Sequence, residues 1–185
     1  MMKVFGNPME IGNKVDIIEN GYKVDIIEDG YKIKAKGTYN LEELYEELKN
    51  WFEHMGYKWL ELEYKQVINR DGSKNLEILW QGEKEIDDYV TFKIKLNMNI
   101  TGINDTEIKL ETGATVKRQK CTLEIKSGAW IEKNTNYFKK KLLGKYLPQL
   151  YEILIRDRLI DQKQTLYLEV HKLYDELKAF MMIYR

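Results

Sequence analysis

Eleven consecutive residues near the middle of the chain, VTFKIKLNMNI, alternate between apolar and polar side chains. Because successive side chains of a β-strand point to opposite faces, this period predicts a strand with one dry and one wet face. We expect Phe92, Ile94 and Leu96 to face a hydrophobic core, and Lys93 and Lys95 to face solvent. Such alternation is typical of antiparallel sheets, which can leave one face in water.

The same two-residue period extends over the central part of the chain, from Trp59 to about Ile131. It predicts that Leu60, Leu62 and Tyr64 also face the core, with the charged residues between them in solvent. An Asp-Gly pair at positions 71 and 72 marks a turn, because both residues tolerate positive φ. The other apolar residues that keep the period are Leu76, Ile78, Trp80, Ile108, Leu110, Leu123 and Ile125.

Close to the N-terminus the chain contains nearly the same nine residues twice, KVDIIENGY at 14–22 and KVDIIEDGY at 23–31. Each unit joins a β-branched run to an Asn-Gly or Asp-Gly pair, the strongest short-range hairpin signal. The following run, YKIKAK, lacks the VDII signature, and a solenoid needs more than two repeats. We therefore predict a duplicated β-ribbon over residues 1–31, with turns at Asn20-Gly21 and Asp29-Gly30, that lies against the main sheet.

A helix is predicted from Asn40 to about Met55. Asn40 is a favourable N-cap, Glu43 supplies a carboxylate three residues later, and Gly56 follows the last periodic residue. The apolar residues that recur at helical spacing are Leu41, Leu44, Tyr45, Leu48, Trp51, Phe52 and Met55. The glutamates and the lysine between them are expected to point away from the core.

The last third of the chain also has helical periodicity. An amphipathic segment from Phe138 to Leu147 is predicted to break or kink at Pro148 and to resume afterwards. A seven-residue pattern then runs through Leu166, Val170, Leu173, Leu177, Phe180 and Tyr184. A heptad pattern this short is more typical of a helix packed on a sheet than of a coiled coil.

These elements predict a single α+β domain over residues 1–185, with the ribbon at 1–31 and a core at 32–185. The core is expected to be a curved antiparallel sheet with the first helix and the long C-terminal helices packed on one face. No stretch rich in Pro, Gly or Ser divides the chain.

This order of elements resembles the helix-grip fold of START and Bet v 1-like proteins, in which a long final helix lies across a bent sheet. The stretches NLEELYEELKNWFEHMGY, LEILWQGEKEIDDYVTFKIKLNMNITGI and LYDELKAF also resemble an uncharacterised family of small archaeal proteins. The second resemblance implies no activity, cofactor or catalytic residue. The first implies a fold only, and a fold does not determine a function.

The amino-acid composition argues against several classes of protein. Thirty basic residues balance thirty acidic ones, so no net charge attracts nucleic acid or membrane, and a 43% hydrophobic content argues against disorder. One cysteine excludes an internal disulfide and favours a reducing compartment. No apolar run has the length of a signal peptide or a membrane span. We expect a soluble, cytoplasmic protein.

The sequence offers little chemistry for catalysis. His54 and His171 lie on different predicted helices, and Cys121 is expected to be a half-buried filler. This set has no metal-ligand spacing, and the chain lacks a nucleophile elbow, a phosphate loop and a dinucleotide fingerprint. The acidic stretch at 83–88 is more typical of a turn than of a catalytic carboxylate pair. We predict no enzyme activity, no catalytic or metal site and no cofactor.

A lysine-rich sheet face is one candidate site. If their strands are neighbours, five lysines would form a surface suited to phosphate: Lys32, Lys34, Lys36, Lys93 and Lys95. The wet positions offer no aromatic side chain for base stacking, and nearby glutamates supply cross-strand partners. Nucleic acid or the ribosome is therefore the least favoured partner.

An aromatic-rich interior suggests the other candidate site, because the chain has four tryptophans and thirteen tyrosines. Such residues either line a cavity or fill an ordinary core. The candidate cavity lining is Trp51, Trp80, Phe92, Ile94, Leu96, Leu173 and Leu177. We predict a non-catalytic binding or assembly protein. It is either a carrier of an apolar small molecule or lipid under the C-terminal helix, or a protein–protein scaffold that uses the ribbon or the heptad helix.

Overall fold

A computed structural model describes residues 3–5, 15–18, 21–109, 113–134 and 147–183. Within these ranges the strands are β1 (Lys3–Phe5), β2 (Val15–Ile18), β3 (Gly21–Tyr39), β4 (Lys58–Ile68), β5 (Lys74–Glu85), β6 (Val90–Lys109) and β7 (Thr115–Asn134). The helices are α1 (Leu41–His54), α2 (Leu147–Leu154) and α3 (Arg156–Ile183). The predicted α+β class is confirmed.

All the described strands form one antiparallel sheet in the order β1-β3-β7-β6-β5-β4, and β2 pairs with β3 beside β1. The predicted register of β6 is confirmed, because Phe92, Ile94 and Leu96 are buried and Lys95 is exposed. Lys93 lies on the same polar face as Lys95. Its neighbours nevertheless leave only 9% of the residue exposed, so the prediction that it faces open solvent is wrong.

The helices cover the apolar face of the sheet. α3 contacts β3 and β7, and α1 contacts β4. The heptad residues of α3 that are described are all buried against this face, as predicted for a helix packed on a sheet: Leu166, Val170, Leu173, Leu177 and Phe180. Tyr184 and the predicted helix from Phe138 lie outside the described residues, except for Leu147, where α2 begins. Pro148 falls in the first turn of α2, where its missing N–H costs little.

The bounds of α1 follow the prediction, but the capping hydrogen bond does not. Asn40 is the N-cap residue, yet its side chain makes no hydrogen bond to the backbone N–H groups of the first turn, and its amide donates to the Glu43 carboxylate at 3.0 Å. Gly56 follows the helix with φ of +78°, the left-handed conformation that suits glycine at this position. The chain can therefore leave α1 and enter β4 within a few residues.

The predicted burial of the apolar residues of β4 is wrong. Leu60, Leu62 and Tyr64 are 61%, 48% and 53% exposed. Glu61 instead points to the helical side, where it accepts hydrogen bonds from the Tyr45 hydroxyl at 2.9 Å and from Trp80 Nε1 at 3.0 Å. A β-bulge between Glu61 and Glu63 shifts the alternation by one residue, so Leu60 lies on the polar face. Beyond the bulge Tyr64 lies opposite the buried Ile78, on the helical face as predicted, but it is not covered there.

At the C-terminal end of β6 the alternating pattern no longer predicts which side chains are buried. β6 pairs with β5 as far as Ile103, and beyond that point β7 is its one partner among the described strands. Ile108 lies in this two-stranded extension and is 37% exposed, so its predicted core position is wrong. Leu110 lies outside the described residues.

The two repeat units take different places. The second unit belongs to β3, where Val24 and Ile26 are buried in the core, and β3 continues without interruption past residue 31. The predicted hairpin turn at Asp29-Gly30 is wrong. Gly30 has φ of +68° within a bulge of the β3–β7 ladder, so its positive φ serves to kink one strand and not to reverse the chain. The first unit supplies β2, which lies against the main sheet as predicted.

Candidate functional site

A groove of about 460 Å³ lies between α1 and α3 on the helical side of the sheet. Its apolar floor consists of one row of side chains from each helix. These side chains are Leu44 and Leu48 from α1, and Leu173, Leu177 and Phe180 from α3. Because residues three and four apart share a helix face, the two rows run along the whole groove.

Acidic and polar side chains form the rim of the groove. Glu43 and Glu47 stand on the α1 side, and Glu176 stands on the α3 side. His54 closes one end, in the last turn of α1. Among the described residues that line the groove there is no lysine or arginine, so their summed charge is negative although the whole chain is neutral. The arrangement combines an apolar floor with a carboxylate rim.

Trp51 forms an aromatic wall. Its ring lies edge-on to Phe52, with centroids 5.3 Å apart, and stacks on Tyr57 at 6.1 Å. Contact with two buried rings restricts the rotation of the indole, so its position beside the groove is fixed.

A buried ionic cluster fixes α3 on the sheet near the groove. The Glu169 carboxylate accepts a hydrogen bond from the Tyr57 hydroxyl at 2.5 Å and pairs with Lys84 Nζ at 2.7 Å. Burial, followed by the hydrogen bond to Glu169, raises the pKa of Tyr57 well above its usual range. The phenol therefore stays protonated and donates at all physiological pH values. These contacts join α3 to β5.

A second cluster fixes α3 above the bulge of β3. Nε2 of His171 lies 2.5 Å from the Tyr31 hydroxyl, and the His171 ring packs edge-on against Tyr167. Burial lowers the pKa of His171, so the imidazole is neutral at pH 7. The Tyr174 hydroxyl donates to the backbone carbonyl of Tyr31 and accepts from the backbone N–H of Ser127.

The predicted cavity residues separate into two groups. Trp51, Leu173 and Leu177 line the groove. The other four lie in the packed core beneath the helices, at no more than 1% exposure: Trp80, Phe92, Ile94 and Leu96. Rings from α1 and β4 surround the Trp80 ring at centroid distances of 4.7–6.2 Å. The accessible space is therefore beside α3, along its contact with α1.

The described groove residues that the cavity prediction missed are Glu43, Leu44, Glu47, Leu48, Asn50, His54, Glu176, Ala179 and Phe180. A local signal for some of them exists, because Glu43, Glu47 and His54 flank the apolar stripe of α1 at helical spacing. That spacing shows which face a residue occupies. It does not show that a second helix runs beside this face.

The candidate lysines do not form one continuous patch. Lys32, Lys34 and Lys36 belong to β3, Lys93 and Lys95 belong to β6, and β7 lies between the two strands. Lys36 and Lys95 are exposed. The strands that carry these lysines are therefore not neighbours, although all the residues lie on the polar face.

Carboxylates neutralise several of these lysines. The Glu124 carboxylate lies 2.9 Å from Lys32 Nζ and 3.4 Å from Lys34 Nζ, and these contacts lower its pKa. Lys93 pairs with Glu83 and Glu132. The expectation that this face has no aromatic residue is wrong, because Trp130 lies there with Lys23 Nζ 5.0 Å from its ring centroid.

The remaining candidate groups lie apart from the groove, with the exception of His54. Cys121 is buried rather than half-buried, and burial raises the pKa of its thiol to about 12. In the acidic stretch at 83–88, Glu83 and Glu85 end β5, and the Asp87 carboxylate accepts the backbone N–H groups of Tyr89 and Val90 in the following turn. The described residues contain no group of three or more His, Cys, Asp or Glu placed to hold a metal ion.

Among the described helices, none is both long and apolar enough to cross a membrane. Comparison of the chain with known protein families, with curated proteins and with solved structures finds no match.

Proposed function

We propose that the protein binds an apolar ligand that carries a positive charge, in the groove between α1 and α3. The observation that carries this proposal is that the described lining combines an apolar floor with three carboxylates and contains no lysine or arginine. Apolar contact provides most of the binding free energy, at about 25 cal/mol per Å² of apolar surface removed from water. The carboxylates provide selectivity for charge.

The size of the groove suits a small molecule. Ligand sites for small molecules occupy about 300–1,000 Å³, and the groove measures about 460 Å³. Because Glu47 and Glu176 are exposed, water and salt screen their attraction for a cation. The carboxylate rim is therefore expected to change affinity by several-fold, and to do so less at high salt.

We propose a carrier or sensor role for this site and not a catalytic one. The groove presents carboxylates and His54 at its rim, but its floor is aliphatic and aromatic, so a ligand would lie on side chains that neither donate nor accept protons. An amphipathic basic peptide also combines an apolar surface with positive charge. It is larger than an alkyl ammonium ion, so binding measurements with both kinds of ligand distinguish the two.

The test compares ligands with the same alkyl chain and different head groups. Isothermal titration calorimetry is expected to show tighter binding of octyltrimethylammonium than of octanoate, both below their micelle concentrations. Glu47→Gln/Glu176→Gln should weaken binding of the cation by several-fold and leave octanoate nearly unchanged. Glu46→Gln, on an exposed position of α1 outside the groove, is the matched control.

A steric variant tests the location. Ala179 is an exposed residue in the groove lining, so Ala179→Trp should fill the groove without disturbing the core. Loss of octyltrimethylammonium binding in this variant supports the proposal. Equal binding of both head groups, or binding that survives Ala179→Trp, contradicts it. Binding of a basic amphipathic peptide but of neither alkyl probe would assign the groove to a protein partner.

A further inference from the structure

Strand β4 ends the described sheet on one side, because it pairs with β5 and with no other described strand. It exposes an unusual number of large apolar side chains for a single strand: Leu60, Leu62, Tyr64, Val67 and Ile68. An edge strand has a row of unpaired backbone N–H and C=O groups and readily pairs with another strand. Both its backbone and its side chains therefore favour a partner strand.

We propose that β4 pairs with β4 of a second copy of this chain, antiparallel, about a two-fold axis that passes through Tyr64. Directly opposite residues of two paired strands share a face, so an axis perpendicular to the sheet must pass through a residue position and not between two positions. An axis through Glu63 or Lys65 would bring like charges together. An axis through Gln66 would shorten the ladder and place Lys65 opposite Val67.

The axis through Tyr64 makes the charges complementary. Glu63 then lies opposite Lys65 of the second copy, and the same pair forms again on the other side of the axis. Both residues lie on the polar face, where Lys65 Nζ is already 3.4 Å from the Glu77 carboxylate of its own chain. The lysine would thus lie between two carboxylates, and directly opposite residues of unlike charge stabilise paired strands.

The apolar side chains match in the same register. Because of the bulge, Glu61 and Leu62 together occupy the space of one residue along β4. We therefore count them as a single position when β4 is paired with its copy. Leu60 then lies opposite Val67 of the second copy on the polar face, and Trp59 lies opposite Ile68 on the helical face. Tyr64 contacts its own counterpart. This register covers the exposed apolar residues on both sides of the axis and joins the two sheets into one.

Charge reversal tests the register. The wild-type protein is expected to sediment as a concentration-dependent dimer in analytical ultracentrifugation. Lys65→Glu and Glu63→Lys each place like charges opposite one another, so each should raise the dissociation constant about tenfold or more. An equimolar mixture of the two variants restores both opposite-charge contacts and should dimerise like wild type. The double variant E63K/K65E should also recover. Far-UV circular dichroism checks that each variant is folded.

Cysteine cross-linking tests the axis. Tyr64→Cys puts two thiols directly opposite each other, so mild oxidation should yield a disulfide-linked dimer. Gln66→Cys is the matched control, because the proposed register separates its two copies by about 13 Å. The native Cys121 is buried and does not compete. A monomer at all micromolar concentrations, a dimer insensitive to both charge reversals, or equal cross-linking at 64 and 66 would overturn the proposal.

Discussion

The ring of Phe52 lies directly against the backbone of Gly82. A β-carbon added at Gly82 would lie 2.4 Å from Cε1 of Phe52, and Phe52 is fully buried. The absence of a side chain on β5 is what lets α1 approach the sheet at this point. Phe52 follows Trp51, so this contact also sets the depth at which α1 presents the groove.

Gly82→Ala should destabilise the fold by about 1–3 kcal/mol, the usual cost of overpacking a core. Chemical denaturation provides the measurement. Gly128→Ala is the matched control, because it is also a strand glycine and an added β-carbon there meets no atom of the described residues within 4 Å. Adding Phe52→Leu to Gly82→Ala should restore part of the loss, since it removes the clashing edge. Equal stability of the two alanine variants would contradict this account.

Gly30→Ala should be more damaging than Gly102→Ala. Both glycines have positive φ, +68° and +65°, so both substitutions strain the backbone. At Gly30 the new β-carbon would also lie 2.3 Å from the carbonyl oxygen of Ser127, whereas at Gly102 it meets no atom within 4 Å in the part of the chain that the structure describes. We expect a loss of about 1–2 kcal/mol at Gly102 from strain alone, and a larger loss at Gly30. Thermal melts of both variants give the comparison.

Glu169→Gln should lower the free energy of unfolding by about 1–3 kcal/mol, because it leaves the largely covered ammonium of Lys84 without its carboxylate. Lys84→Met removes the charge that needs a partner. The double variant Lys84→Met/Glu169→Gln is therefore expected to lose less than the sum of the two single changes. Strict additivity in urea denaturation would show that the two groups do not interact.

Stability should fall as the pH drops below 6.5. Burial lowers the pKa of His171 below its ordinary value of 6.5, with a smaller lowering effect of Lys178 and an opposing one of Asp175. Between the folded and unfolded pKa values the unfolded chain binds the proton and the folded chain does not, so acid favours unfolding. Above pH 6.5 this group has no effect. His171→Gln should flatten the melting temperature between pH 7 and 5, and an unchanged slope in that variant would assign the dependence elsewhere.

Deleting residues 14–22 should leave a folded domain with a modestly lower melting temperature. The deletion removes β2, which contributes a ladder of only four residues at the edge of β3, together with Gly21 and Tyr22 at the start of β3. Ile26→Ala, in the second repeat unit, empties a fully buried position and should cost about 2–5 kcal/mol. If the deletion proves the more damaging change, the first unit is an essential part of the core.

The sequence predicted β6 well and β4 poorly, and the physical reason is their position in the sheet. β6 lies between two strands and beneath the helices, so its polar and apolar faces differ along its length as far as Ile103. β4 lies at the edge, and its bulge moves Glu61 under α1 and Leu60 into solvent. A bulge depends on how a strand pairs with its partner, so the alternation of apolar and polar residues within one strand does not predict it.

The groove could not be predicted from the periodicity of the sequence. Leu48 and Leu177 were both predicted to face the core, and both do. Their common groove arises because α1 and α3, far apart in sequence, lie side by side on the same sheet. In the second repeat unit a correct local signal led to a wrong structural prediction. Its Asp-Gly pair has the local conformational freedom of a turn, and pairing with β7 uses that freedom for a bulge.

The first repeat unit adds a short strand to the edge of the sheet. β2 lies antiparallel to the start of β3, with Val15 opposite Val24, the same residue of each copy. Two of the four pairs, Ile17 with Tyr22 and Ile18 with Gly21, join residues of the first unit to each other, so this unit folds back on its own end and reaches only the start of the second unit. The first unit therefore supplies both β2 and the first two residues of β3. It widens the sheet along the edge of β3 that does not pair with β7.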